Sequence, residues 1–423
     1  MRSHRLWFVS LVVVFGLGLG GSADADGIDN DVGRDSDYLL GLMRAQPERM
    51  AIALDPAQAK AHRVQVLVSF VQNDGDDGPR LERHGFRVDA EYFYPASAIK
   101  LGAAVAALEL VQSLAAAGHR VKVDTPLIYH PLFDGEELDT DDSSNLRGGR
   151  ITVRHLIRQT IIVSSNHAFN RLYELVGHQA LNRSMRAAGL EHSYFLHRLS
   201  RWLSPEENLR TPRVDFDTRA GTVTVPERTS ELEIRHFGIP GLEVGASYID
   251  SATDREIAAP MSFARKNRMT LVDLQDLLVM VTRPDIKLGR PGFQLTRRHR
   301  RLLMRALREY PSESKNPVFE GDEYRAERFK HLLPGLLRVV PEDELTIFSK
   351  AGKAYGFTIE NAYVVPARGR RGFFLTTVIY TNPNQRLNDN DYTYDEVGDP
   401  FIHDLTELIA RALWDIPAPA PAP

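Results

Sequence analysis

The sequence predicts an α+β protein, with strand-forming segments near both ends of the chain and a long helix-rich stretch between them. Three observations carry this expectation. Residues 64–71 (VQVLVSFV) form a run of β-branched and apolar residues bounded by turn chemistry, the pattern of a buried strand. Residues 100–117, Ala- and Leu-rich and free of proline, end at Gly118 and read as a long helix. Near the C-terminus residues 345–352, 358–365 and 372–380 again carry strand patterning, as an antiparallel meander.

The chain has 423 residues, of which 43% are hydrophobic and 26% charged, values of a soluble globular protein. Its net charge of −4 and the lack of a long basic tract argue against a nucleic-acid partner. Arg2 and Arg5 precede the apolar run 6–20, and Ala23-Asp24-Ala25 follows as a small-x-small cleavage site. Residues 1–25 are therefore expected to be a secretory signal peptide, giving a secreted or periplasmic protein with no membrane span after processing. With no cysteine there is neither a disulfide nor thiolate chemistry.

In chain order, residues 38–50 have helical spacing, with Pro47 a possible interruption. The 64–71 strand turns at 73–79 (NDGDDGP) and returns over 84–88, so a hairpin leads to residues 94–100 (YPASAIK). Pro95 places Ser97 in the first turn of the long helix. The acidic segment 138–145 lacks the glycine and terminal glutamate of a calcium loop and reads as a solvated loop. A helix is expected from Thr152. Residues 161–172 then place a polar knot, Ser164-Ser165-Asn166, between two apolar runs, so those polar groups are expected to be hydrogen-bonded or to face a cleft. Residues 209–265 are weakly periodic, with brief strand-like pieces such as 222–225, and read as an insertion. Thr270 caps an amphipathic helix over 271–281, and 295–309 form a second helix with a basic, solvated face. Residues 388–391 are a polar loop. A closing helix over 400–414 precedes a stiff Pro/Ala tail at 416–423. This divides the chain into a discontinuous sheet domain (38–94 and 310–415) and a helical lobe (95–309).

Three motifs come in the order Ser97-x-x-Lys100, Ser164-Ser165-Asn166 and Lys350-Ala351-Gly352. A serine becomes a nucleophile when a neighbouring base takes its proton, and a desolvated lysine one helical turn along can do so. On this reading Ser97 attacks a carbonyl, Lys100 takes or relays the proton, and Ser164 passes it to the leaving nitrogen. Asn166 holds a substrate carbonyl, and Lys350 supplies positive charge for a substrate carboxylate. Gly352 leaves room along the strand, where a backbone N–H joins that of Ser97 as an oxyanion hole.

This arrangement resembles the class A serine β-lactamases and the related penicillin-binding proteins. Residues 93–100, 149–156 and 166–172 extend the likeness beyond the motifs, as do the helical segments 269–281 and 296–304. The resemblance implies one five-stranded antiparallel sheet flanked by helices, an all-helical lobe, and a site in the groove between them. It further implies β-lactam ring opening through a Ser97 acyl-enzyme, without metal or other cofactor. The substrate is expected to be a small β-lactam or a peptidoglycan-like peptide, and the protein a monomer.

Several positions depart from the family's pattern. Ser165 replaces an aspartate, and Ala351 lacks the hydroxyl that would bond a substrate carboxylate, a loss of about 0.5–1.5 kcal/mol. Residues 201–208 (RWLSPEEN) resemble the loop bearing the family's deacylating glutamate, yet Leu203 follows the Arg-Trp pair. Glu206 is the candidate general base, with Glu207 second. The alternatives are a D-Ala-D-Ala carboxypeptidase- or esterase-like enzyme, or an impaired binder on the same scaffold.

Overall fold

A computed structural model describes residues 32–73, 78–234, 239–367 and 369–417. The proposed signal peptide, and all but the first two residues of the Pro/Ala tail, lie outside them. The main sheet contains β1 (Gln65–Gln72), β2 (Arg80–Phe86), β3 (Leu345–Ser349), β4 (Gly352–Ala354), β5 (Phe357–Pro366) and β6 (Phe373–Tyr380). Its order is β3-β5-β6-β1-β2, all antiparallel, and β4 continues the β3 edge along β5. The five expected strands are thus present, with one broken at Lys350 and Ala351.

Both faces of this sheet are covered, which explains why the inner strands β1, β5 and β6 are buried nearly throughout, whereas the edge strand β2 is polar and partly exposed. Along β6, Phe373, Leu375 and Ile379 enter one core with helices α1 (Asp37–Arg44) and α7 (Asp399–Leu413). The intervening Phe374, Val378 and Tyr380 enter the other. That second core is built around α2 (Lys100–Ala116), buried along most of its length, with α3 (Val153–Ile162), α4 (Asn166–Val176), α5 (Leu271–Thr282) and α6 (Arg297–Arg308). Residues 96–116 are long and apolar enough to cross a membrane, but they form the core helix of this lobe.

Caps at Thr152 and Thr270 fall where the sequence places them, and the helix expected from residue 295 is capped by Thr296 and begins at Arg297. Thr152, Thr270 and Thr296 each accept a hydrogen bond from the backbone N–H three residues on. Two boundaries differ from expectation. The first helix stops at Arg44, because Pro47 disfavours helical backbone at the residue before it. The returning strand β2 begins at Arg80 and ends at Phe86, because Arg87 has a positive φ of 50°.

The lobe is not wholly helical. Leu127–Tyr129, Val214–Thr218 and Gly221–Val225 form a three-stranded antiparallel sheet. The 209–265 insertion also supplies Ser247–Asp250, which pairs with Arg255–Ile257 and with Arg386–Leu387 near the other end of the chain. Just before the insertion ends, Phe263 is buried against Tyr94 and Tyr355, with ring centroids 5.7 and 5.3 Å away. The insertion therefore packs against the segment that delivers Ser97.

Candidate active site

Ser97 lies in a 3-10 turn, Ala96–Ile99, that runs directly into α2. It is half-buried, whereas the residues on either side, from Tyr92 to Ala96 and from Ala98 to Leu108, are buried. Ala96, immediately before it, takes a left-handed φ of 47°, as do Ser164 at 56° and Ser200 at 49°. Such backbone costs about 1–3 kcal/mol per residue and persists only where its surroundings enforce it.

The enforcing contact at Ser97 comes from β4. A Cβ on Gly352 would lie 2.5 Å from Ser97 N and 2.9 Å from Ala98 N. Those neighbours are backbone atoms at the start of a packed helix, so only a glycine lets the strand approach this closely. Lys350 N donates to Asn361 O at 3.0 Å, keeping the chain in register between β3 and β4.

Lys100 is fully buried. Its Nζ contacts the Ser164 carbonyl oxygen, Asn166 Oδ1 at 2.6 Å and Ser164 Oγ at 3.2 Å. Burial, reinforced by the positive charge of Lys350, holds its pKa well below the usual lysine value. A neutral amine has two N–H groups and one lone pair. Here two carbonyl-type oxygens take the two N–H groups, leaving the lone pair for a hydroxyl proton.

Ser164 Oγ lies 3.2 Å from Lys100 Nζ and accepts from Lys350 Nζ at 3.0 Å, so one hydroxyl bridges two buried amines. Lys350 Nζ donates further to Ala351 O at 2.8 Å. Its pKa falls to about 7, chiefly through burial; Glu360 opposes the shift and Lys330 adds to it. Ser165 serves the helix instead, since its Oγ accepts from Ala168 N and caps α4. This accounts for a hydroxyl residue in the middle of the motif.

The structure brings Lys100, Ser164, Asn166 and Lys350 into hydrogen-bonded contact and sets Gly352 against Ser97. It does not bring Glu206 to them. Glu206 lies in the first turn of the surface helix Pro205–Leu209, where its side chain is 78% exposed and 3.9 Å from Arg265. Glu207 completes a capping box, accepting from Ser204 N at 2.7 Å. A general base must be within about 3 Å of the proton it abstracts, or one water away, so both assignments are corrected. These glutamates complement a helix N-terminus.

A residue that the sequence did not single out reaches the site in their place. Asn166 Nδ2 donates to Ser200 Oγ at 2.7 Å, extending the chain Lys100–Asn166–Ser200. Asn170 fixes this segment through two bonds to Leu199, at 2.9 and 2.8 Å. Arg198, completely buried, anchors it to Glu174 at 3.0 Å, while Trp202 is 71% exposed. Arg201 of the Arg-Trp pair also reaches Glu174, at 3.3 Å, but its side chain is 30% exposed, so Arg198 is the buried member of the two. Among the described residues no carboxylate hydrogen-bonds to Lys100.

Residues 60–232 match the beta-lactamase enzyme family. No curated protein gives a match. Among solved structures, the chain is similar to a beta-lactamase from Sphaerobacter thermophilus DSM 20745, at 18% identity, covering 88% of this chain and 99% of that one with a TM-score of 0.46. A beta-lactamase from Desulfarculus baarsii DSM 2075 gives 19% identity, coverage of 88% and 98%, and a TM-score of 0.46. One from Burkholderia ambifaria gives 15%, 86% and 98%, and 0.46. The span matched to the beta-lactamase enzyme family holds Ser97, Lys100, Ser164, Asn166 and Ser200.

Proposed function

We propose that the protein is a serine acyl-transfer hydrolase that opens β-lactam rings by forming a Ser97 acyl-enzyme. The observation carrying this reading is the Ser164 hydroxyl held between two buried amines, 3.2 Å from Lys100 Nζ and 3.0 Å from Lys350 Nζ. Neutral Lys100 takes the Ser97 proton as the hydroxyl attacks the ring carbonyl. Ser164 returns a proton to the ring nitrogen as the C–N bond breaks, and Lys350 resupplies or steadies the Ser164 hydroxyl. The Ser97 N–H, beside Gly352, is one donor of the oxyanion hole, worth about 3–4 kcal/mol to the tetrahedral intermediate. Asn166 presents its amide to the substrate's side-chain carbonyl.

The second half-reaction requires a base for the hydrolytic water. Ser200 occupies the far end of the Lys100–Asn166 chain, and Glu206 faces solvent. Without a carboxylate base, deacylation loses about 10²–10⁴-fold. A persistent acyl-enzyme is therefore the expected state, and it favours a D-Ala-D-Ala carboxypeptidase-like natural substrate as the second reading. The charged and apolar pattern of residues 1–25 supports export.

Intact-mass analysis with benzylpenicillin tests the proposal. A one-to-one adduct that lasts for minutes or longer, and is absent in Ser97→Ala, is expected. No adduct on the wild-type protein would remove Ser97 as nucleophile. Rapid loss of the adduct with steady drug hydrolysis would refute slow deacylation.

A further inference from the structure

We infer that Glu360 is a positioning residue for the acyl-transfer site, its buried negative charge holding the positive charge on the Lys350 amine; the inference rests on the acyl-transfer reading. Glu360 lies on β5 opposite the break between β3 and β4, since Ser349 pairs with Ala362 and Gly352 with Ile359. Alternation along β5 sends Ile359 into the core around α2 and Ala362 into the core with α1 and α7. Glu360 therefore projects to the latter side, across the sheet from the Lys350 amine.

The bonding of the carboxyl group fixes its charge. Glu360 is completely buried; Oε1 accepts from Ser349 Oγ at 2.7 Å and Asn361 N at 3.1 Å, and Oε2 accepts from Leu332 N at 3.1 Å. Backbone N–H groups only donate, so each oxygen is engaged as an acceptor, which the ionised form satisfies. Burial raises the carboxyl pKa, while Ser349, Leu332, Lys330 and Asn361 oppose that rise. Among the described residues no cation pairs with this carboxylate directly. A buried charge without a contacting counter-charge is costly, and such groups concentrate at functional sites.

Two buried amines answer it at longer range. Lys330 Nζ is held by Leu307 O at 2.6 Å and Ile347 O at 3.1 Å, and Lys350 Nζ by Ser164 Oγ and Ala351 O. Glu360 favours the charged form of each, whereas Lys330 disfavours that of Lys350. Charges in the interior act on one another with little screening. The other titratable groups around them are Lys100 and His331, both driven towards neutrality chiefly by burial, and Glu313, which acts on Lys330. Glu360 is thus the carboxylate that keeps a proton on Lys350 up to about pH 7.

The test is the pH profile of acylation by benzylpenicillin, read by intact mass on the full-length protein. Loss of the Lys350 charge gives the wild type an alkaline limb at about pH 7. Glu360→Gln is expected to move that limb down by about one pH unit, slowing acylation about tenfold at about pH 8 and less than about twofold on the acid side. Glu360→Asp keeps the charge and leaves the limb where it is. Lys330→Met removes a competing cation and moves the limb the other way, to higher pH. A general loss of folding gives no such pair of opposite shifts, and Lys330→Met decides the matter if Glu360→Gln does not fold. A limb that stays in place in the folded variants, or a rate that falls equally at every pH, would overturn the inference while leaving Ser97 as the nucleophile. No adduct on the wild-type protein overturns the acyl-transfer reading as well.

Discussion

The Lys350 amine contacts Ser164 Oγ and the Ala351 carbonyl in a fully buried position, and its pKa of about 7 makes its charge sensitive to physiological pH. A lysine is charged below its pKa, so the positive charge offered to a substrate carboxylate is present below about pH 7 and lost above it. Acylation by benzylpenicillin should therefore fall on an alkaline limb centred near pH 7 in the free enzyme. Arginine stays charged throughout, so Lys350→Arg should remove that limb even if it lowers the rate overall. A limb that stays in place in this variant would assign it to another group. Glu206→Gln, in turn, should leave adduct formation and release within about twofold of wild type, since the side chain is exposed and, among the described residues, paired only with Arg265 at 3.9 Å. A tenfold change in release would restore Glu206 to the mechanism.

At the scale of elements, the proposed active site depends on a strand edge meeting a helix start. Gly352→Ala would drive a methyl group into Ser97 N and Ala98 N, and neither backbone can retreat from the packed end of α2. Overpacking of this kind costs about 1–3 kcal/mol of stability, and displacing the nucleophile removes its oxyanion contact as well. Adduct formation in Gly352→Ala should drop by about 10²-fold or more, with the far-ultraviolet circular dichroism spectrum retained. A variant that acylates at the wild-type rate would show that β4 does not set the Ser97 geometry.

The same elements show what was legible from sequence. The Thr caps, the proline-free helix ending at Gly118 and the apolar strands of a doubly covered sheet are local signals, and the fold contains each of them. The three motifs were also readable, because their residue types and order are unusual together. The loop beyond them was not. Arg198 and Arg201 are both followed by an apolar or aromatic residue, and only folding decides which one turns inward to Glu174 as the buried member. Ser200 carried no motif, and its importance comes from a 2.7 Å contact with a residue 34 positions earlier. The strands of the 209–265 insertion were similarly faint, because each is only two to five residues long and draws its pairing from distant segments.

For the molecule as a whole, burying several lysines has a consequence for stability that opposes the usual alkaline trend. Lys100, Lys330 and Lys350 all have depressed pKa values, mainly through burial; Lys330 lies at about 8 and Lys350 at about 7, against 10.5 for an exposed lysine. Lys330 Nζ donates to Leu307 O at 2.6 Å and Ile347 O at 3.1 Å, two acceptors for the two N–H groups of a neutral amine. Between about pH 7 and 10 the unfolded chain binds these protons and the folded chain does not, so unfolding becomes less favourable as pH rises. Each such lysine contributes about 1.4 kcal/mol per pH unit across its window, so Lys330 and Lys350 together give about 4 kcal/mol between pH 7 and pH 9, and Lys100 acts in the same direction. The tyrosines, raised from an ordinary value of 10, begin to oppose the trend only at higher pH. Urea unfolding of the protein should accordingly show a midpoint that climbs from pH 7 to pH 9. Lys330→Met should flatten the climb by one lysine's share, because it removes a titrating amine outside the Ser97 site. A midpoint that falls or holds level over this range would mean that the lysines stay protonated in the fold, and with that the neutral Lys100 on which proton abstraction from Ser97 depends would lose its physical basis.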